Sequence, residues 1–170
     1  ADSLGKNTTG TNNVAVGSSA LYNNTTADNN TAVGRSAGVS VTTGASNTII
    51  GALAGDALTT GADNVAIGIN ALGAADTSNR NVAIGRAALG AYNPSGNEDG
   101  YHVAIGYDAL TTNSTATQNT AVGGLTLRAA TTGNLNTAVG YAAGTAVTTG
   151  VQNTLIGGLA GDASQTGDAN

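Results

Sequence analysis

A Val-Gly or Ile-Gly step recurs along the whole chain, and a fixed interval of this kind leaves few folds open. Its glycines are Gly17, Gly34, Gly51, Gly68, Gly85, Gly106, Gly123, Gly140 and Gly157. They stand 17 residues apart, except for the 21 residues between Gly85 and Gly106. Other columns keep the same phase. Four residues before the glycine come Asn13, Asn30, Asn47, Asn64, Asn81, Asn119, Asn136 and Asn153, replaced once by His102. Directly before it come Val16, Val33, Ile50, Ile67, Ile84, Ile105, Val122, Val139 and Ile156. Two before it is Ala, except Ile49 and Leu155; three after it is Ala, except Thr126; four after it is Leu or Gly. Nine after it come Thr26, Thr43, Thr60, Thr77, Thr115, Thr132, Thr149 and Thr166.

Such a unit is β rather than helical. Glycine is too frequent, 26 in all, and the apolar residues lack a 3.6 period. The sequence therefore predicts an all-β fold, a parallel β-roll or β-solenoid with one coil per 17-residue repeat. Asn-Thr/Val-Ala-Val/Ile-Gly reads as one short strand, and a second is expected around the threonine column. Coils stacked at the ordinary strand spacing give a rod of roughly 45 Å. The asparagine and threonine columns are expected to stack as ladders. The Val/Ile column is expected to be the buried spine. Ala and Gly then face the other way and leave little room. A single roll has one interior, so that second face is expected to pack on another copy of the chain.

Composition agrees with a thin core. There is no Phe, Trp, Met or Cys, and the only aromatics are five tyrosines. Disulfides, thiolate metal sites and cysteine nucleophiles are excluded. A formal net charge of −5 with five scattered basic residues argues against nucleic acid as a partner. No apolar run is long enough to span a membrane as a helix. Residues 1–170 read as a single solenoid segment, and Asn170, in phase with the repeat, suggests that the array continues.

The break in phase holds an insertion, 93–100, with the only Pro and the only Glu of the chain. Tyr92, Asn93, Pro94, Asn97, Glu98, Asp99 and Tyr101 are the candidate recognition residues, on a loop projecting from a rigid rod toward a cell-surface glycan or receptor. Catalytic, cofactor and metal sites are not expected. His102 reads as one replaced rung of the asparagine ladder, and Glu98 and Asp99 as loop residues rather than an acid/base pair. The G-G-x-G-x-D repeat of calcium-binding β-rolls is absent. An ice-binding solenoid that uses the threonine column is the alternative from another class. Its weakness is that the second threonine, as in Thr42-Thr43 or Thr148-Thr149, is adjacent on the chain rather than two residues away.

N-T-A-V-G-x-x-A-[LG], clearest at 30–38 and 136–144, with the linker Thr148-Thr149-Gly150-Val151-Gln152-Asn153, resembles the head repeats of YadA-like trimeric autotransporter adhesins and related repeats of phage and virus tail fibres. The resemblance covers nearly the whole chain, although the adhesin repeat is shorter. It implies a left-handed parallel β-roll, a homotrimer, and an adhesive or structural role in an extracellular, cell-surface or virion fibre.

Overall fold

The computed structural model describes residues 2–163 and 166–169; Asn170, which carries the expectation of a continuing array, lies outside them. Nine strands are each three residues long: β1 (Val14–Val16), β2 (Thr31–Val33), β3 (Thr48–Ile50), β4 (Val65–Ile67), β5 (Val82–Ile84), β6 (Val103–Ile105), β7 (Thr120–Val122), β8 (Thr137–Val139) and β9 (Thr154–Ile156). They form one sheet in chain order. Every pair is parallel and in register on the repeat, giving a β-solenoid of eight strand-to-strand steps. At about 4.8 Å per step the sheet is about 40 Å long. The long interval causes no slip, since Val82 still faces Val103 and Ile84 faces Ile105.

Each coil holds one strand, not the two expected from the sequence. The reason lies in the backbone. After Gly17 the chain enters the left-handed region at Ser19 (φ 60°), Leu21 (φ 48°) and Asn29 (φ 61°), and the same positions repeat along the rod. Left-handed residues between ordinary ones turn the chain instead of extending it. The turns still ladder between coils: the N–H groups of Leu21, Asn23 and Thr25 donate to the carbonyls of Ala37, Val39 and Thr42 at 3.0, 3.2 and 3.0 Å. Backbone polar groups are thus satisfied around the coil without a second strand.

The two faces of the sheet are assigned opposite to the sequence expectation. The middle residue of each interior strand points inward: Ala32, Ile49, Ala66, Ala83, Ala104, Ala121 and Ala138 are fully buried. They meet the Ala three after the glycine and the Leu four after it, such as Ala88 and Leu89. The supposed spine, Val16, Val33, Ile50, Ile67, Ile84, Ile105, Val122, Val139 and Ile156, points outward; Val16, Ile50, Val139 and Ile156 are exposed and the others half-buried. The interior is too narrow for a β-branched side chain on every strand next to a Leu column. Where the inward residue is large, the neighbouring Leu becomes Gly. A Cβ on Gly38 would stand 2.8 Å from Ile49 Cδ1, and one on Gly144 would stand 2.9 Å from Leu155 Cδ1.

The asparagine column lies inside and closes the core at one corner. Asn47 is typical: its N–H donates to Asn30 Oδ1 at 2.9 Å, and its Nδ2 donates to Gly61 O at 2.9 Å. Asn64 repeats the arrangement on Asn47 and Ser78, and Asn136 on Asn119 and Gly150. Buried amides are thereby paired on both sides, which removes the cost of taking them out of water. The threonine ladder runs one residue earlier than expected. Hydroxyls of Thr25, Thr42, Thr59 and Thr131 donate to the carbonyls of Thr42, Thr59, Asp76 and Thr148 at 3.1–3.2 Å. Thr26, Thr43, Thr60, Thr115, Thr132, Thr149 and Thr166 are exposed outside this ladder, and only Thr77, whose hydroxyl bonds Gly96 O at 2.5 Å, is half-buried. One threonine of each pair thus faces the next coil and the other faces water.

Candidate functional site

The insertion between β5 and β6 does not present all the residues expected of a recognition loop. Tyr92 is fully buried, its ring set edge-on to His102 with centroids 4.7 Å apart. It stands seven residues after Gly85, a position whose side chain points inward, as Val41 and Leu58 also show. Pro94 is buried too. Both therefore belong to the packing beneath the loop. Burial holds the Tyr92 phenol un-ionised, its pKa pushed up to about 12, with the nearby Glu98 and Asp99 acting in the same direction.

The outer residues are Asn93, Asn97, Glu98, Asp99 and Tyr101. Asn93 and Glu98 are exposed, and their backbones tie to Ser114 and Asn79. Asn97 Oδ1 accepts from Asn79 Nδ2 at 2.9 Å. The Asp99 carboxylate holds the Arg80 guanidinium and accepts from the Tyr101 hydroxyl at 3.2 Å. Arg80 lies over the Tyr101 ring at 5.8 Å, and Arg86 lies over Tyr107 at 5.5 Å. Coil by coil, two Arg–Tyr stacks flank β5 and β6 on the outer face of the sheet.

His102 is built into the ladder. Its Nδ1 accepts the Asn119 N–H at 3.2 Å, and its Nε2 lies 2.6 Å from Ala116 O. The ring is therefore neutral, with the proton on Nε2, and reproduces the acceptor and donor of an asparagine. Burial depresses its pKa to about 4, against the smaller opposing effect of the bonds to Ala116 and Asn119. Protonation would put a second donor against the Asn119 N–H. Because the folded pKa lies below the unfolded value, the unfolded chain binds more protons between about pH 6.5 and 4. This contribution to stability is complete above that window and is lost as pH falls through it. Between pH 7.5 and 4.5 the chain is expected to lose about 2–3 kcal/mol through this residue. His102→Asn should remove that part of the loss, as read from urea midpoints at the two pH values; an equal loss in both proteins would refute it.

The outer face of the sheet is the larger feature. Every exposed large hydrophobic residue lies between five before and two after the repeat glycine: on the strands, as Val14, Ile50 and Ile156, or on their flanks, as Ile69, Tyr107, Leu135 and Tyr141. Tyr141, after β8, is 63% exposed, and Ile69, after β4, is 51% exposed. The Val/Ile column crosses successive coils in line, and the neighbouring outward column is either Val or Thr, as Val65 and Thr48. Elsewhere, an open groove of about 490 Å³ between Asp56 and Thr111 has a floor of Gly and Ala. Among the described residues no three metal-ligating side chains cluster, and no helix is long and apolar enough to cross a membrane. No family model, no curated protein and no solved structure matches the chain.

Proposed function

We propose that this chain is a non-enzymatic, self-associating segment of an extracellular fibre, a tail fibre or surface adhesin, in which copies pack through the outer faces of their sheets. Three copies are the stoichiometry implied by the resemblance to adhesin heads. The observation that carries the reading is the outward Val/Ile column on nine consecutive strands. A contiguous apolar stripe of that length marks an association surface. The outer face as a whole, polar edges included, is about 40 Å by 20 Å and offers each copy about 800 Å², the size of one side of a standard interface. The solenoid supplies a rigid spacer whose insertions vary without disturbing the coil. In this reading the exposed Asn97 and Glu98 of the insertion would contact a glycan or receptor.

The mass of the particle by light scattering is the test. About three chains per particle are expected. Ile84→Lys should give a single chain with an unchanged circular dichroism spectrum, because the side chain points away from the core. A single-chain particle for the unaltered protein would overturn the reading. The adhesive part is read separately, as loss of cell-surface glycan binding in the Asn97→Ala, Glu98→Ala variant at unchanged mass.

The exposed row Thr26, Thr43, Thr60, Thr115, Thr132 and Thr149 favours a second reading, an ice-binding solenoid. Thermal hysteresis tests it, and none is expected. The row is one residue wide, because the adjoining hydroxyls of Thr25, Thr42 and Thr59 turn back to the next coil.

A further inference from the structure

The two long edges of the apolar face carry complementary sequences when one copy is shifted against the next. Along one edge, five residues before the glycines from Gly51 to Gly140, run Ser46, Asp63, Arg80, Tyr101, Gln118 and Leu135. Along the other, one residue after the glycines from Gly51 to Gly157, run Ala52, Ile69, Arg86, Tyr107, Gly124, Tyr141 and Gly158, with Arg35 before them. Resting on the self-association reading, we infer that copies meet edge to edge, the first edge of one against the second edge of its neighbour, with an offset of one coil that joins Asp63 to Arg86.

Three observations carry the offset. The first is charge. Arg86 has no carboxylate partner among the described residues; it donates to the Tyr107 hydroxyl at 3.1 Å and lies over the Tyr107 ring. Asp63 is held loosely, 3.9 Å from an Arg80 that Asp99 already occupies. Each is half of an ion pair on opposite edges of the same face. The second is size. With the same offset Tyr101 faces Gly124, and Leu135 faces Gly158. Gly158 leaves room, its nearest neighbour 3.9 Å from where a Cβ would stand, whereas at Gly124 the Tyr141 ring stands 3.7 Å away and Tyr101 would pack against that ring. The third is that the other registers fail. Without an offset, Arg80 meets Arg86 and Asp63 meets Ile69, so like charges coincide and the carboxylate is left on an apolar partner. Shifted the other way, Asp63 meets Ala52 and Arg80 meets Ile69, which leaves two charges on apolar partners.

The geometry allows this. From one edge to the other is six residues, about 20 Å, and one coil is about 4.8 Å. A strand tilt of about 14° to the plane of association, well within the twist of ordinary sheets, supplies the offset. A contact between unlike edges is heterologous, and when the rotation closes it makes a ring.

The absence of cysteine makes the test clean. Asp63→Cys would be combined in turn with Arg86→Cys, Ile69→Cys and Ala52→Cys, in the full chain, and oxidised under native conditions. Within one chain these edges are too far apart to bridge, since a disulfide needs Cα atoms within about 7 Å. Covalent oligomers from the Asp63/Arg86 pair, at least ten-fold over the other two, are expected. Preferential cross-linking of Asp63 with Ile69 or Ala52 would overturn the offset while leaving edge-to-edge packing. No cross-link in any pair, with several chains per particle by light scattering, would overturn the edge contact. No cross-link with a single-chain particle would overturn the self-association reading itself.

Discussion

Ile49→Ala is expected to destabilise the chain by about 4–5 kcal/mol, the upper end for a large-to-small change in a core. The cost of such a change depends on how far the surroundings collapse into the space. Here they cannot. Ile49 is fully buried and fills the room above Gly38 and beside Gly55, whose added Cβ atoms would stand 2.8 and 3.5 Å from it. Neither glycine has a side chain to swing inward, and both neighbours are fixed by ladder bonds from Gly38 to Ala54 and from Gly55 to Ala71. The rest of the rod supplies the remedy. Ala83, in the equivalent position on β5, lies between Leu72 and Leu89, and all three are fully buried. Adding Gly38→Leu and Gly55→Leu to Ile49→Ala should therefore restore part of the loss, since a side chain at Gly38 also meets Leu21 and Val41, 3.1 and 3.3 Å from its Cβ. Leucine tolerates that backbone: Leu72 and Leu89 sit at φ 54° and 52°, beside 58° and 51° for the two glycines. Urea denaturation of the single and triple variants decides it. No recovery in the triple variant would mean that the Ile/Gly exchange is not a packing exchange.

That exchange is also where sequence reasoning could have settled which face is buried. The period, the parallel register and the coil length were legible because each repeat shows the same column. A period-two strand, however, presents two faces, and periodicity alone does not say which is inside. The larger Val and Ile residues suggested the wrong one. The exceptions carry the answer: Ile49 stands out in the Ala column between Gly38 and Gly55, and Leu155 stands out between Gly144 and Gly161. Columns that compensate in volume share an interior. Tyr92 was misplaced for a related reason. Counted within the insertion it looks like a loop aromatic, but counted forward from Gly85 it falls in the inward column of Val41, Leu58 and Val147. The missing second strand was not legible, because serine and leucine, unlike asparagine, have no preference of their own for left-handed φ and are held there by stacking against the neighbouring coil. The threonine ladder was assigned to the more regular of two adjacent columns. The bonds belong to the less regular one, where Asp76 and Ser114 stand in for threonine.

Gly68→Ala and Gly157→Ala separate backbone strain from the close approach of coils, and they should differ by about 2 kcal/mol. Both glycines sit at a φ that side chains avoid, 130° and 124°. Either substitution therefore costs about 1–3 kcal/mol in conformation alone. At Gly68 the new Cβ would also lie 2.6 Å from the carbonyl carbon and oxygen of Gly85 in the next coil. At Gly157 nothing lies within 4 Å. Backbone cannot yield as a side chain does, so the interior substitution should reach about 3–5 kcal/mol. Its effect should also be local in a particular way. In a stack each coil contacts only its neighbours, and stability is close to a sum of unit and interface contributions. A fault between β4 and β5 should lower hydrogen-exchange protection in those coils first and leave the flanking ones protected. The same substitution at Gly157 should leave β4 and β5 as protected as in the unaltered chain. Equal costs at the two sites would show that φ alone fixes the glycine column. A larger cost at Gly68, confined to its neighbourhood, would show that the column is glycine because successive coils touch there through bare backbone. That contact holds the coil spacing uniform, and uniform spacing is what lets the outward Val/Ile residues of separate coils line up into one continuous face.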